Sequence, residues 1–384
     1  MSKPNRLGVV FAGGGTGGHI QPNLAIAEQL ALLMPGKVGG TFVTSERPID
    51  AKVLSEETID GFAFDQLVSP AKPIAMKPMA LARFVLNWGG SVRAGRRAIR
   101  GLKETCDRVV VVSTGGFVSP GVAMGARAEG VPSVLVNLDA VPGKANRLMQ
   151  RWATRQLTSA PTGDTRLERI APIVRGRMLE TPSKEDASSH FGLDTNRNTL
   201  LVTGGSQGAQ SVNDFVVRAL KELEGDLDLA SWQVIHQCGK DAEESLTKRY
   251  DALGVKAWVG AYIDRMDLAF KASDAAVTRG GAGTIADLWA TRTPALVLPY
   301  PYHADEHQKV NAKELTDTGG VSVGIDKIEP ESNLRENLEK LRKLLDSKTR
   351  REMSVAIESL GPADGARSVA LIVLDLAGVS AFAG

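Results

Sequence analysis

At 384 residues, with 43% hydrophobic and 23% charged residues, the chain has the length of two domains and the composition of an ordinary globular protein. A net charge of +2 excludes a whole-chain polyanion binder, and two distant cysteines, Cys106 and Cys238, outside any CxxC or Cys/His spacing, argue against a disulfide scaffold and a structural zinc. The first apolar run is too short and glycine-bound for a signal peptide, and no stretch reaches the ~20 apolar residues of a spanning helix.

Short β-branched runs alternate with helix-period segments, which predicts an α/β fold with parallel sheets. The first strand, residues 7–12, runs into Gly13-Gly14-Gly15-Thr16-Gly17-Gly18-His19 and then a helix over 23–33. A glycine loop opening a helix offers unpaired N–H groups and a partial positive charge, a setting for phosphate. Residues 13–18 match GxGxxG, but the second strand, 38–43, leads to an acidic residue only at Glu46, too far along for the dinucleotide fingerprint. The loop also ends in a titratable histidine, which a passive cradle does not need. A nicotinamide oxidoreductase is set aside on these grounds; a plain strand–helix turn is the bland alternative.

Residues 72–103 hold Lys72, Lys77, Arg83, Arg93, Arg96, Arg97, Arg100 and Lys103 without any Asp or Glu, interleaved with apolar residues such as Phe84 and Trp88. The mixture suits an anionic membrane surface, where each cation contributes ~1 kcal/mol. Ordinary core helices with basic outer faces are the alternative. No nucleic-acid motif accompanies the charges, so no nucleic acid is expected as a partner. Strands follow at 108–112 and 133–138. After a connection over 160–177, a second series of strands lies at 199–203, 232–236, 256–259, 274–277 and 295–299. Most are near-continuous apolar runs, the pattern of parallel strands buried on both faces.

The second series echoes the first. Strand 199–203 runs into Gly204-Gly205-Ser206-Gln207-Gly208-Ala209 and a helix over 211–223. This predicts two doubly wound domains, at 1–165 and 170–360, and a tail over 361–384 whose helix, 366–376, has the option of packing back on the first domain. Arg279-Gly280-Gly281-Ala282-Gly283-Thr284-Ile285-Ala286-Asp287 is a third glycine loop entering a helix. Either Thr284 is an N-cap whose capping box Asp287 completes, or the Asp287 carboxylate accepts hydrogen bonds from ribose hydroxyls. The polar run from His303 to Asn311 follows strand 295–299, at the end where α/β ligands bind, with Gln308 and Asn311 on one helix face. His303 and His307 lack a third ligand for a metal.

With these loops in view, seven segments in order resemble the MurG family, the N-acetylglucosaminyltransferases that make lipid II for peptidoglycan. They are GGGTGGHIQPNLAIAEQL (13–30), TGGFVSPGVAMGARAEGVP (114–132), AVPGKANR (140–147), GGSQGAQSVN (204–213), AYIDRM (261–266), GGAGTIAD (280–287) and HADEHQKVNA (303–312). The resemblance implies two Rossmann-like domains facing a cleft, the GT-B type. It implies transfer of GlcNAc from UDP-GlcNAc to the muramic acid 4-hydroxyl of undecaprenyl-linked lipid I, with inversion. The enzyme would sit peripherally on the cytoplasmic face of the bacterial inner membrane, through residues 72–103.

The same resemblance implies that Thr16, Gly17 and Gly18 approach the substrate phosphates and that Ser206 and Arg175 hold the UDP pyrophosphate. The backbone of Ile263 would read the uracil, Ala282, Gly283, Thr284 and Asp287 would cradle the nucleotide, and Gln308 would contact sugar hydroxyls. His19 matches the family histidine suggested as base. Helix N-termini with Arg175 would meet the charge developing on UDP, so neither metal nor cofactor is expected.

Two departures stand out. Where the family has His-Glu-Gln-Asn, this chain has Val136-Asn137-Leu138-Asp139; a carboxylate can take a proton where an amide cannot, so Asp139 joins His19 as a candidate base. Asp287 replaces a longer Glu, and Gly280 a Ser. The change at 136–139 keeps alternatives open: a different lipid or small-molecule acceptor, a UDP-GlcNAc 2-epimerase, or a non-catalytic UDP-sugar binder.

Overall fold

A computed structural model of the chain describes residues 6–14, 17–73, 78–180, 182–205, 208–303 and 305–380, with backbone alone at 78–86. It divides into two compact units, Met1–Gly176 with Asp364–Gly384, and Arg177–Ala363.

Unit 1 runs β1 (Leu7–Ala12), α1 (Gly17–Leu33), β2 (Val38–Thr44), α2 (Pro48–Ser55), β3 (Phe62–Val68), α3 (Pro78–Thr105), β4 (Arg108–Ser113), α4 (Ser119–Ala128), β5 (Ser133–Asn137), α5 (Lys144–Met149), β6 (Arg155–Thr158) and β7 (Glu168–Arg169). Its strands form one parallel sheet in the order β3-β2-β1-β4-β5-β6-β7. Every residue of β1 and β2 is buried, which accounts for the lack of charged residues in either.

From the unit boundary onward come α6 (Gly176–Leu179), α7 (Lys184–His190), β8 (Asn198–Thr203), α8 (Gln210–Glu222), β9 (Trp232–Gln237), α9 (Glu243–Ala252), β10 (Lys256–Gly260), α10 (Met266–Ala272), β11 (Ala275–Thr278), α11 (Ala282–Thr291), β12 (Ala295–Val297), α12 (His307–Asn311), α13 (Lys313–Asp317), β13 (Val321–Val323), α14 (Pro330–Leu345) and α15 (Ser347–Glu358). The strands of unit 2 form a second parallel sheet, β10-β9-β8-β11-β12-β13.

Both sheets are doubly wound, and in such sheets the crevice opens at the carboxyl ends of the two strands where the order reverses. In unit 1 these are β1 and β4; in unit 2 they are β8 and β11. The loops at 13–18 and 114–117 flank the first crevice, and those at 204–209 and 279–284 flank the second.

The last helix, α16 (Gly365–Ala377), belongs to unit 1. Ala366, Val369, Ala370, Val373, Leu374 and Ala377 recur at helical spacing and join the core that holds Leu24, Ile26 and Leu30 of α1. The chain leaves and re-enters unit 1 side by side: Ile173 bridges Asp364, and the Gly365 N–H donates to the Pro172 carbonyl at 3.0 Å. The division falls after Gly176, inside the connection expected over 160–177.

Four strands escaped the sequence reading: β3, β6, β7 and β13. In β3, an edge strand, only Phe62 is fully buried, so it lacks the apolar run of a central strand. Helix α1 starts at Gly17, six residues before the expected start. Pro22 lies inside it, where a missing N–H near the helix start costs one ladder bond rather than ending the helix.

Candidate functional site

In unit 1 the glycines around His19 are required by contacts. A Cβ on Gly13 would lie 2.9 Å from the Thr114 hydroxyl, and one on Gly14 would lie 2.6 Å from a carboxylate oxygen of Asp50. Gly115 and Gly116 have φ of +107° and +79°, and a Cβ on either would come within 3.2 Å of the His19 ring. The imidazole occupies space that two left-handed glycines leave open.

His19 sits in the first turn of α1. Its Nδ1 lies 3.1 Å from the Thr114 carbonyl, while the Thr114 hydroxyl donates to the His19 carbonyl at 2.6 Å. A carbonyl can only accept, so Nδ1 carries the proton and Nε2 holds the lone pair. Burial pulls the imidazole below its ordinary value; Asp139, the Thr114 carbonyl and Asp50 pull the other way. The ring is therefore largely neutral at pH 7 and can accept a proton at Nε2.

Asp139, just past β5, is half-buried and close enough for its charge to act on His19. Asn137 is fully buried: it accepts from Asn146 at 2.9 Å and donates to the Asp139 carbonyl at 2.6 Å and to the Thr158 hydroxyl at 3.2 Å. The altered 136–139 segment is thus locked through its asparagine. Asp50, also fully buried, accepts from the Ser45 N–H at 3.0 Å and the Ser45 hydroxyl at 2.6 Å. No sequence pattern distinguished Asp50; only folding brings it under the glycine loop. Gly17 and Gly18 open α1, where N–H groups lack intrahelical acceptors. Thr16 lies outside the described residues, as does Ser206.

Arg175 requires a correction. Its buried guanidinium donates to Glu28 at 2.7 Å, to Gln21 at 2.8 Å and, with both Nη atoms, to the two Glu57 oxygens at 2.8 and 2.7 Å. The second Glu28 oxygen accepts from the Gly176 N–H at 2.8 Å. With two carboxylates and an amide on it, Arg175 here clamps the exit of unit 1 to α1 and to the loop after α2, and is not an open ligand for pyrophosphate.

In unit 2, a Cβ on Gly204 would lie 2.3 Å from the Ala209 nitrogen, and one on Gly208 would lie 2.2 Å from the Cys238 carbonyl oxygen. Gly205 and Gly208 take φ of +84° and +72°. Helix α11 is capped by Gly281, not Thr284, so no capping box forms. The N–H groups of Ala282, Gly283 and Thr284 are left without intrahelical acceptors, the first ladder bond being Ile285 to the Gly281 carbonyl. Asp287, now without a capping duty, accepts from the Thr291 hydroxyl through its main-chain carbonyl at 2.8 Å, while its carboxylate makes no hydrogen bond among the described residues. Burial pushes its carboxyl up to about 7, with Arg177 pulling it down. Ile263 is buried just past β10.

The Gln308 side-chain oxygen accepts from the Tyr300 N–H at 2.8 Å, which leaves its amide NH2 to donate elsewhere. Asn311 does not share an outward face with it; buried, it donates to the Gly280 carbonyl at 3.0 Å. His307 pairs with Asp305 at 2.7 Å.

The basic segment becomes the long helix α3. Arg96 and Arg100 donate to Glu129 at 2.7 and 2.9 Å, holding its carboxyl down at about 2, and Lys103 reaches the Glu129 carbonyl at 2.8 Å. Lys72 pairs with Glu46. Arg93, Arg97 and Arg100 are exposed, Arg100 while paired with Glu129, and all three line a groove of about 630 Å³ between α3 and strands β2 and β3. Among the described residues no helix is long and apolar enough to cross a membrane. Residues 74–77 lie outside the described residues.

Residues 9–158 match the glycosyltransferase family 28 N-terminal domain, and residues 199–366 match its C-terminal domain. A curated Mycobacterium sp. (strain KMS) protein, named UDP-N-acetylglucosamine–N-acetylmuramyl-(pentapeptide) pyrophosphoryl-undecaprenol N-acetylglucosamine transferase, is 34% identical over 380 residues, covering 97% of this chain and 96% of its own. A Streptomyces coelicolor protein of the same name is 33% identical over 81% of this chain and 83% of its own. The solved structure of Acinetobacter baumannii MurG superposes with a TM-score of 0.72 over 96% of this chain and 99% of its own; at 21% identity that likeness speaks to the fold.

Proposed function

The chain belongs to the MurG family of family 28 glycosyltransferases, and from that premise we propose that it transfers GlcNAc from UDP-GlcNAc to the muramic acid 4-hydroxyl of undecaprenyl-pyrophosphoryl-MurNAc-pentapeptide. The observation that carries the chemistry is His19, whose Nδ1 is held by the Thr114 carbonyl so that Nε2 is a base. The acceptor O–H gives its proton to Nε2 as its oxygen bonds to the sugar anomeric carbon. The bond from that carbon to the β-phosphate oxygen breaks, and UDP leaves with the electron pair. Displacement from the opposite face inverts the centre. The charge developing on UDP meets the open N–H groups at Ala282, Gly283 and Thr284, and Ser206 holds the pyrophosphate. Asp287 accepts from the ribose, Ile263 lines the base, and the Gln308 amide donates to the sugar. Asp139 supports the charge on His19 as it becomes protonated. Gly17 and Gly18 face an acceptor or donor phosphate.

The acceptor is lipid-linked, and α3 supports peripheral docking on an anionic membrane at the cytoplasmic face. Arg93 and Arg97 carry that reading, since Arg96 and Arg100 are held by Glu129.

Incubation with UDP-GlcNAc and a lipid I analogue tests the reading. Free UDP and a disaccharide-bearing lipid are expected. UDP-ManNAc released without acceptor would point to an epimerase, and tight UDP-GlcNAc binding without turnover to a regulatory binder.

A further inference from the structure

Arg279 and Asp326 form a buried ion pair in unit 2 that none of the roles above uses. The Arg279 side chain is 8% exposed, that of Asp326 is 0% exposed, and they meet at 2.7 Å. A buried pair of this kind is weak evidence for stability, because apolar residues of similar volume serve as well or better. Its geometry is better explained by what it joins.

The Arg279 guanidinium donates to the Leu298 carbonyl at 2.7 Å and the Pro299 carbonyl at 3.2 Å, just past β12, and to the Ser211 hydroxyl of α8 at 3.0 Å. The Ser211 hydroxyl in turn donates to Asp326 at 2.6 Å. The other Asp326 oxygen accepts from the Ile328 N–H at 2.9 Å, and Ile328 is held at φ +62°, a left-handed conformation costly for a β-branched residue. One planar fork thus ties the first turn of α8, the ends of β11 and β12, and the loop after β13: the segments around the β8/β11 crevice.

The consequences reach groups offered to the donor. Arg279 leads directly into Gly280, where a Cβ would lie 2.1 Å from the Gln308 carbonyl oxygen, and then into the open N-terminus of α11. Its guanidinium lies 5.7 Å over the Tyr300 ring, and the Tyr300 N–H donates to the Gln308 side chain. A shift of Arg279 moves the α11 N-terminus and Gln308 together.

We propose that Asp326, with Ser211, is a positioning residue for the nucleotide-sugar donor, acting through Arg279 to hold the α11 N-terminus and Gln308 in register. The proposal deepens the donor-site reading above and rests on it. Donor affinity depends on this node, whereas acceptor affinity and the proton transfer at His19 do not.

The test uses the full chain, with calorimetric titration of UDP and separate donor and acceptor KM values. Asp326→Asn keeps the shape and removes the charge; it should raise the UDP Kd and donor KM about tenfold, because the buried guanidinium loses its counter-charge. Ser211→Ala removes one hydrogen bond and should raise both about threefold. Acceptor KM, and kcat at saturating donor, should stay within about twofold, a split that mere loss of folded protein does not produce. If Asp326→Asn does not fold, Ser211→Ala decides. Variants that bind UDP as the wild type does, or that lose kcat with donor KM unchanged, overturn the proposal. Wild-type protein that fails to bind UDP overturns the donor reading itself, and this proposal with it.

Discussion

The two crevices share a topology and differ in chemistry. At the β1/β4 end of unit 1, a glycine loop surrounds a titratable group: His19, with Asp139 and Asp50 acting on it. At the β8/β11 end of unit 2, a glycine loop leads instead to open helix N–H groups, the carboxylate of Asp287 and a buried ion pair. On the proposed function, the same strand order carries proton chemistry in one unit and anion binding in the other. The scaffold sets where a ligand goes; the loop residues set what happens there.

That contrast can be broken most directly at His19. His19→Ala should lower turnover about 10²- to 10⁴-fold, the usual contribution of a positioned base, and leave the UDP Kd unchanged. Equal losses in both would show that the division of labour between the units is false. The next largest effect tests whether membrane docking belongs to unit 1. Replacing Arg93 and Arg97 by Gln should weaken binding to anionic liposomes about thirtyfold, at ~1 kcal/mol per cation, and the loss should shrink as salt rises. Unaltered flotation of the double variant would remove α3 from the membrane.

In unit 2, Asp287→Asn should raise the donor KM about tenfold through loss of a charge-assisted hydrogen bond. Because burial raises the Asp287 carboxyl to about 7, donor affinity of the wild type should improve as pH rises through that value, when the accepting carboxylate forms. The variant should lose that slope. Without ligand the sign reverses: the folded wild type retains a proton that the unfolded chain releases, so its stability relative to Asp287→Asn should fall between the ordinary carboxylate range and pH 7, measured as the difference in Tm.

The smallest effect is the finest test. Asp139 raises the His19 pKa, so Asp139→Asn should move the acid limb of kcat/KM to lower pH, with kcat within about tenfold of wild type. A lost limb, rather than a shifted one, would make Asp139 the base.

The sequence was most legible where one residue type had one plausible use. The buried runs of β1 and β8, each entering a glycine loop, announced parallel strands and a repeated scaffold. The edge strand β3 was not legible, because its exposed residues erase the apolar run. Arg175 misled for a different reason: an arginine suits pyrophosphate and carboxylate alike, and its partners Glu28 and Glu57 are distant in sequence. Asp50 and Asp326 were invisible for the same reason, being defined by what folding buries them against. Asp287 was left with two readings, of which the cap at Gly281 removes the capping box.

The placement of α16 bears on how the protein is made. Unit 2 is nested within unit 1, since residues 364–380 complete a core begun by β1 and α1. During synthesis the apolar face of α1 waits uncovered while the whole of unit 2 is translated, roughly ten to forty seconds at ordinary elongation rates. Unit 2 can therefore close on the ribosome first, and the first-made half of the protein is the last to become native.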